Sequence, residues 1–280
     1  MPLRAGIPLI SDVDALLQDD LFRQHSEYNS RFLAKHGPAL RGYGRHWGEN
    51  PLGLWSRRWE YPFVGQRMVD FGRQQTGAIK ILDAGSGVTY FDYLLCDELP
   101  SAQVVCCDYD TSYTPMFAAI NQNTPNSRVS FMQASLQSLP LEAGSIDAIC
   151  CISVLEHTNR YGEILDEFIR VLRPGGVLVL TFDLSLDGRF DVPRPQAQAL
   201  LEAIEARFAI EPGLNAVGEL ARMDQKDVIL STDYVKRTNP ELLPWRYPLL
   251  KGLYDLIKGK GWSGGFHSKS VYCLEARRRA

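Results

Sequence analysis

Ile79-Lys80-Ile81-Leu82-Asp83-Ala84-Gly85-Ser86-Gly87 is a mostly apolar run that reaches a carboxylate and then two glycines separated by a serine. The run predicts a buried strand, and the glycines predict a tight turn whose backbone can approach a ligand closely. Twenty-one residues past Gly87, a second apolar run from Val104 to Cys107 ends in Asp108. A strand, a glycine turn, a helix and a second strand tipped with a carboxylate make a nucleotide-and-ribose site. A dinucleotide fingerprint needs a third small residue for close helix packing, and Tyr90 stands in that region instead. The pattern therefore favours a cofactor with a ribose but no pyrophosphate.

Further apolar runs begin near Val129, Ile146 and Val177, separated by segments long enough for crossover helices or loops. This rhythm predicts an α/β fold with a doubly wound, mostly parallel sheet and helices on both faces. Tyr161 to Leu172 reads as a helix, because Ile164, Leu165, Phe168, Ile169 and Leu172 fall on one side. Arg173-Pro174-Gly175-Gly176 is expected to stop that helix and turn into the next strand. Val177 to Phe182 is unbroken and apolar, as a strand covered on both faces should be. Gln196 to Phe208 reads as a further helix, and Ser270 to Glu275 as the last strand.

The flanks differ from this core in composition. Residues 1–75 form a helical cover in this reading, with helix from Asp12 to Lys35 and from Gln66 to Arg73 and a turn-rich stretch, Gly37 to Pro51, between them. Residues 76–218 are the core, 219–267 a proline- and glycine-containing insertion or lid, and 268–280 the last strand and tail. All five tryptophans, Trp47, Trp55, Trp59, Trp245 and Trp262, lie in the flanks. They either glue the cover to the sheet or line a substrate pocket.

With 280 residues, 45% of them hydrophobic and a net charge of −3, the chain can bury a full core and offers no broad positive field to a polyanion. Nucleic acid is disfavoured as a partner, and neither a secretory signal nor a membrane span is read from the sequence. The expected location is the cytoplasm. Six cysteines include the adjacent pairs Cys106-Cys107 and Cys150-Cys151. Neighbouring strand residues face opposite sides of a sheet, so neither pair can grip one metal, and reduced thiols acting as small core residues are expected.

Taken in order, these segments resemble the class I S-adenosylmethionine-dependent methyltransferases, in the branch acting mostly on small molecules. Asp83-Ala84-Gly85-Ser86-Gly87 is similar to the family's first motif and Asp108 to its acidic residue after the second strand. Ser135-Leu136-Gln137-Ser138-Leu139-Pro140-Leu141, followed by Gly144-Ser145-Ile146-Asp147, resembles the third region. Val154-Leu155-Glu156-His157 resembles the segment after the fourth strand, and Leu172-Arg173-Pro174-Gly175-Gly176 the turn before the fifth. The resemblance spans residues 76–185 and implies a Rossmann-like, seven-stranded sheet and S-adenosylmethionine as cofactor.

It also implies roles. Gly85, Ser86 and Gly87 would lie against the amino-acid part of the cofactor, with Asp83 orienting the turn and facing the ammonium group directly or through water. Asp108, an acceptor-only group when ionised, would take both ribose hydroxyls, and Tyr109 would pack on the adenine. The family commonly has an acidic residue where Ser135 stands, so adenine recognition would lean on backbone groups of Ser135 and Leu136. Ser153 and Val154 would line the methionine end, and His157 is the candidate general base. Arg57-Arg58-Trp59-Glu60-Tyr61-Pro62 reads as a solvated or structural turn, or as a segment closing over the cofactor carboxylate or the substrate. His46-Trp47, Arg189, Arg194 and Trp245-Arg246-Tyr247 are candidates for meeting a polar acceptor.

The expected reaction moves a methyl group by in-line displacement to an oxygen, nitrogen or carbon of a small molecule or a glycan. An NAD-dependent oxidoreductase and a non-catalytic nucleotide-binding module are the alternatives. The absence of an Asn/Asp-Pro-Pro-Tyr/Phe segment at the fourth strand, where Cys151-Ile152-Ser153-Val154 stands, argues against a nucleic-acid or protein substrate.

Overall fold

The computed structural model describes residues 2–43, 50–189, 191–243, 256–257 and 267–279. Three helices, α1 (Ile10–Leu17), α2 (Asp20–His36) and α3 (Arg57–Arg73), precede the sheet. The alternating core then runs β1 (Ile79–Ala84), α4 (Phe91–Glu98), β2 (Ala102–Asp108), α5 (Tyr113–Gln122), β3 (Val129–Gln133), β4 (Ile146–Ile152), α6 (Tyr161–Val171) and β5 (Leu172–Ser185). It continues through β6 (Val192–Pro193), α7 (Arg194–Arg207), β7 (Phe208–Ile210), α8 (Thr232–Thr238) and β8 (Lys269–Arg278).

The strands form one sheet in the order β3-β2-β1-β4-β5-β8-β7, with β6 paired to β5. Strands β3 to β5 are mutually parallel, and β8 runs antiparallel to both β5 and β7. The order reverses between β1 and β4, so a crevice opens at the carboxyl ends of those two strands, where ligands bind in sheets of this kind. The expected seven strands are thus eight, the addition being the two-residue β6.

Alternation along the strands divides the interior into two layers. Ile81, Val104, Cys106, Cys150, Val177 and Val179 face the layer shared with α3, α4 and α5. Their chain neighbours Leu82, Val105, Cys107, Cys151, Leu178 and Leu180 face the layer shared with α6 and α7. Each cysteine pair is therefore split across the sheet, and all six thiols are free and buried. Trp55 and Trp59 also lie in the first layer, which makes these two tryptophans core glue. Trp47, Trp245 and Trp262 lie outside the described residues.

Several local expectations are corrected. The first helical segment is two helices, because Asp19 leaves helical geometry and its carboxylate caps α2 by accepting from Leu21 N at 2.9 Å. The stretch Arg57 to Pro62 is the start of α3, buried except for the half-buried Arg58. Its charged residues are satisfied internally, as described below, so the segment needs no solvent.

Arg173 to Gly176 belongs to β5 as an irregularity: from Ile146 to Ala148 on β4, the partner on β5 jumps from Leu172 to Val177. Asp147 sustains that bulge by accepting from Lys80 N at 2.7 Å and from Arg173 Nε at 2.6 Å. The amino terminus also joins the sheet, since Gly6 and Cys273 exchange backbone hydrogen bonds of 2.7 and 3.0 Å on the edge of β8.

Candidate functional site

The turn after β1 is built from backbone. Gly85 and Gly87 take φ values of +81° and +56°, a region costly for residues with a side chain. A Cβ on Gly85 would stand 2.4 Å from Val154 Cγ2, and one on Gly87 would stand 2.3 Å from the Tyr43 hydroxyl. Gly85 N and Ser86 N donate to Cys107 O at 2.8 and 3.1 Å, which pins the turn to the end of β2. Tyr90 is fully buried at the start of α4, its hydroxyl 2.9 Å from His25 Nδ1 of α2. The bulky residue that departs from a dinucleotide fingerprint is thus an anchor for the helical cover.

Two residues past β2, the backbone folds back on Asp108, whose Oδ1 accepts from Asp110 N at 3.1 Å. Beyond β4 the chain turns sharply, because Ser153 takes φ +50° and a short 3-10 helix, Leu155–His157, follows. Two adjoining cavities open between these ends. The larger, about 410 Å³, is lined by Asp108, Tyr109, Ser135, Leu136, Val154 and His157 among others. The smaller, about 250 Å³, is lined by Asp83, Ser86, Gly87, Arg57, Tyr43 and Thr89 among others. Gly85, Asp108, Tyr113, Ser153 and His157 border both.

Every candidate named from the cofactor motifs, together with His157, therefore lines one cavity or the other. Tyr109 does so while 82% exposed. The Ser135 hydroxyl bonds with Gln137, accepting from its amide N–H at 3.3 Å. Arg194 pairs with Asp224 at 2.6 Å, and neither it nor Arg189 reaches either cavity. His46, Trp47, Trp245, Arg246 and Tyr247 fall outside the described residues. Tyr43, Thr89 and Tyr113 were not anticipated; they come from loops and a helix start and carry no periodicity or motif to flag them.

Beneath the cavities lies a polar network centred on the fully buried Glu60. Glu60 accepts from the Ser153 hydroxyl at 2.7 Å, from the Thr181 hydroxyl at 2.6 Å and from Arg57 Nη1. The same Arg57 nitrogen donates to Ser153 Oγ at 2.6 Å. Burial pushes the Glu60 carboxyl up, but Arg57 and the surrounding hydroxyls outweigh it and hold the group below the usual carboxylate range. Glu60 is therefore an ion, tying α3 to the ends of β4 and β5.

Asp83 differs from Glu60. Its carboxyl is buried and faces Asp92, and burial followed by the nearby charge of Asp92 raises it well above the ordinary range. Burial likewise lifts Asp92 to about 6. The pair consequently retains a proton where the unfolded chain has lost it, so its contribution to stability falls as pH rises from 3.8 toward 6. Asp92→Asn should stabilise the fold at pH 8 by on the order of 1–3 kcal/mol, with the gain fading toward pH 4. Urea melts at the two pH values check this, and a gain independent of pH would refute it.

His157 stands at the seam of the cavities. Burial lowers its pKa from the ordinary value of 6.5, with Asp191 opposing and Lys269 and Arg57 adding to the shift. The imidazole is neutral at pH 7 and able to accept a proton.

Residues 82–180 match a family model described as "Methyltransferase domain". The ubiquinone/menaquinone biosynthesis C-methyltransferase UbiE of Syntrophotalea carbinolica is 34% identical over 128 residues, 45% of this chain and 51% of that protein. A Mycolicibacterium smegmatis protein named "probable S-adenosylmethionine-dependent methyltransferase" is 31% identical over 184 residues, 61% of this chain and 66% of its own length. The chain thus spans from about half to just under two thirds of the length of these two relatives.

In fold, the crystal structure of geranyl diphosphate C-methyltransferase from Streptomyces coelicolor A3(2) superposes with a TM-score of 0.55 at 15% identity. That superposition covers 98% of this chain and 91% of the other. The matched segment runs from β1 to β5 and contains the glycine turn, Asp108 and His157. Residues 82–180 of this chain are thus similar to a methyltransferase domain, and the fold is that of the solved methyltransferase on which it superposes.

Proposed function

We propose that the protein is an S-adenosylmethionine-dependent methyltransferase that moves a methyl group to a small molecule or a glycan. The observation that carries this reading is that the positive-φ glycine turn and the Asp108 carboxylate border the same two joined cavities. The residues fit the cofactor. Asp108 offers two acceptor oxygens for vicinal hydroxyls, the side-chain-free turn offers close backbone approach, and the larger cavity is bordered by Leu136, Val154 and Tyr109 for a flat base. Bound there, the cofactor supplies a methyl group already made electrophilic by its sulfonium.

What remains for the chain is to position and to deprotonate. Ser153 and Gly85 shape the passage between the cavities, and His157 at the same seam would take the proton from an oxygen or nitrogen acceptor. Family names on the relatives, a quinone-pathway C-methyltransferase among them, support a small-molecule acceptor. The six free, buried thiols support work in the reducing cytoplasm.

Calorimetry with S-adenosylhomocysteine and with NAD tests the cofactor assignment. The expected result is micromolar or tighter binding of the first and none of the second. Asp108→Ala should weaken that binding by about 1–3 kcal/mol, the scale for losing hydrogen bonds to a charged group. Tight NAD binding, or unchanged affinity in the variant, would refute the assignment.

A further inference from the structure

A third cavity, of about 360 Å³, shares no lining residue with the two already described. It lies between the second half of α2, the last turn of α4 and the loop 124–128 that leads into β3. Since β1, β2 and β3 run parallel, this entrance to β3 is at the opposite end of the sheet from the glycine turn. One face of α2 builds much of the wall. Tyr28, Arg31, Phe32, Lys35 and His36 recur at the three- and four-residue spacing that stacks side chains on one side of a helix.

That face is aromatic at its base and cationic at its rim. Phe32 and His36 are buried, their ring centroids 5.2 and 6.5 Å from that of the buried Tyr93 of α4. Arg31 and Lys35 are exposed, and neither forms a hydrogen bond or an ion pair with a described residue. The Arg31 guanidinium lies 5.5 Å from the Tyr28 ring centroid. Among the described residues one carboxylate borders the cavity, Asp97, and it already accepts from the Tyr28 hydroxyl at 2.7 Å. Arg128, on the far wall, donates to the carbonyls of Cys96, Leu99, Pro100 and Ala102 and so covers the negative end of α4, which would otherwise repel an anion. Like charges four residues apart on a helix cost about 0.2–0.5 kcal/mol, a repulsion that an anion between Arg31 and Lys35 relieves. The loop wall is pinned as well: Asn121 Oδ1 accepts from the Ser127 hydroxyl at 2.7 Å and from the Tyr93 hydroxyl at 3.0 Å. The cavity therefore keeps its shape through bonds of the chain itself.

We propose that this cavity is a second binding site, separate from methyl transfer, for a small anion built on a flat ring, with the ring against the aromatic base and its carboxylate or phosphate between Arg31 and Lys35. A bare anion would gain little, because an exposed ion pair is worth only about 0–1 kcal/mol. A neutral ring would leave both cations unpaired. A ligand that carries ring and charge together uses both halves of the wall.

Calorimetry with 2-naphthoate, 2-naphthyl phosphate, neutral 2-naphthol and inorganic phosphate tests this, with and without saturating S-adenosylhomocysteine. Wild type should bind both naphthyl anions at least about 10-fold more tightly than 2-naphthol or inorganic phosphate, the scale of one charge-assisted hydrogen bond. The tighter of the two anions distinguishes a carboxylate ligand from a phosphate. Saturation with S-adenosylhomocysteine should leave these affinities within about twofold, as expected of sites with no shared residue. In the double variant R31Q/K35Q both naphthyl anions should fall to the affinity of 2-naphthol, whose own binding stays within about twofold. Its melting midpoint should stay within about 2 °C of wild type, because both positions are exposed. The site is overturned by failure of the anions to bind, by 2-naphthol or inorganic phosphate binding equally well, by displacement with S-adenosylhomocysteine, or by unchanged anion affinity in the double variant. Should S-adenosylhomocysteine itself not bind, the cofactor assignment falls, and the titrations without it still decide this site.

Discussion

His157→Ala is expected to lower kcat by about 10²–10⁴-fold on an acceptor whose oxygen or nitrogen must lose a proton, the range typical of a removed general base. Dissociation of S-adenosylhomocysteine should change no more than about twofold, because Asp108 and the glycine turn are untouched. The expectation follows from position and protonation together. His157 closes a 3-10 helix that starts beyond the strained Ser153, which brings the imidazole to the seam of the two cavities. Burial lowers its pKa, so the ring is unprotonated at pH 7.

The pH profile adds a second check. Activity of the wild type should rise with pH as the imidazole loses its proton below 6.5, then level off. In the alanine variant that limb should vanish. An alanine variant with the wild-type rate across this range would show that His157 only shapes the cavity wall.

The largest loss of stability is expected at Glu60. Glu60→Ala leaves the Arg57 guanidinium buried without its counter-ion and removes the acceptor of the Ser153 and Thr181 hydroxyls. Breaking a buried pair from one side costs about 3–5 kcal/mol, since the remaining charge keeps its desolvation penalty. The difference from wild type should shrink as pH falls below 4.5. Glu60 is depressed in the fold, so its contribution is present above the unfolded value and is lost as pH drops through the folded one. Denaturant melts at pH 7 and pH 4 measure both effects, and a cost under about 1 kcal/mol at pH 7 would mean that the pair is no support for the fold.

The turn and the strand tip that border the cavities were legible because their signals are local. A strand that meets glycines, and a second strand that ends in a carboxylate, declare their geometry within a few residues, since only glycine takes a positive φ at low cost. The cysteine pairs were legible for a similar reason: alternation along a strand sends neighbours to opposite layers. For the segment Arg57 to Pro62 the reading as a solvated or structural turn fails, because charge suggests solvent, whereas here Arg57 and Glu60 satisfy each other inside a helix. Tyr43 reaches the small cavity through the packing of the cover, which leaves no short-range trace.

Sequence alone determined the alternating architecture, the glycine turn, the carboxylate at the tip of the second strand and the place of His157 after the fourth. Each follows from periodicity and backbone preference over short spans. Only the tertiary structure decided that α3 delivers a buried ion pair to the ends of β4 and β5, and that burial beside Asp92 raises the Asp83 carboxyl above its ordinary range. It also decided that the site divides into two adjoining cavities that share Gly85, Asp108, Tyr113, Ser153 and His157. Burial and partnership between residues far apart in the chain set these properties, because the charge state of a group depends on what surrounds it after folding.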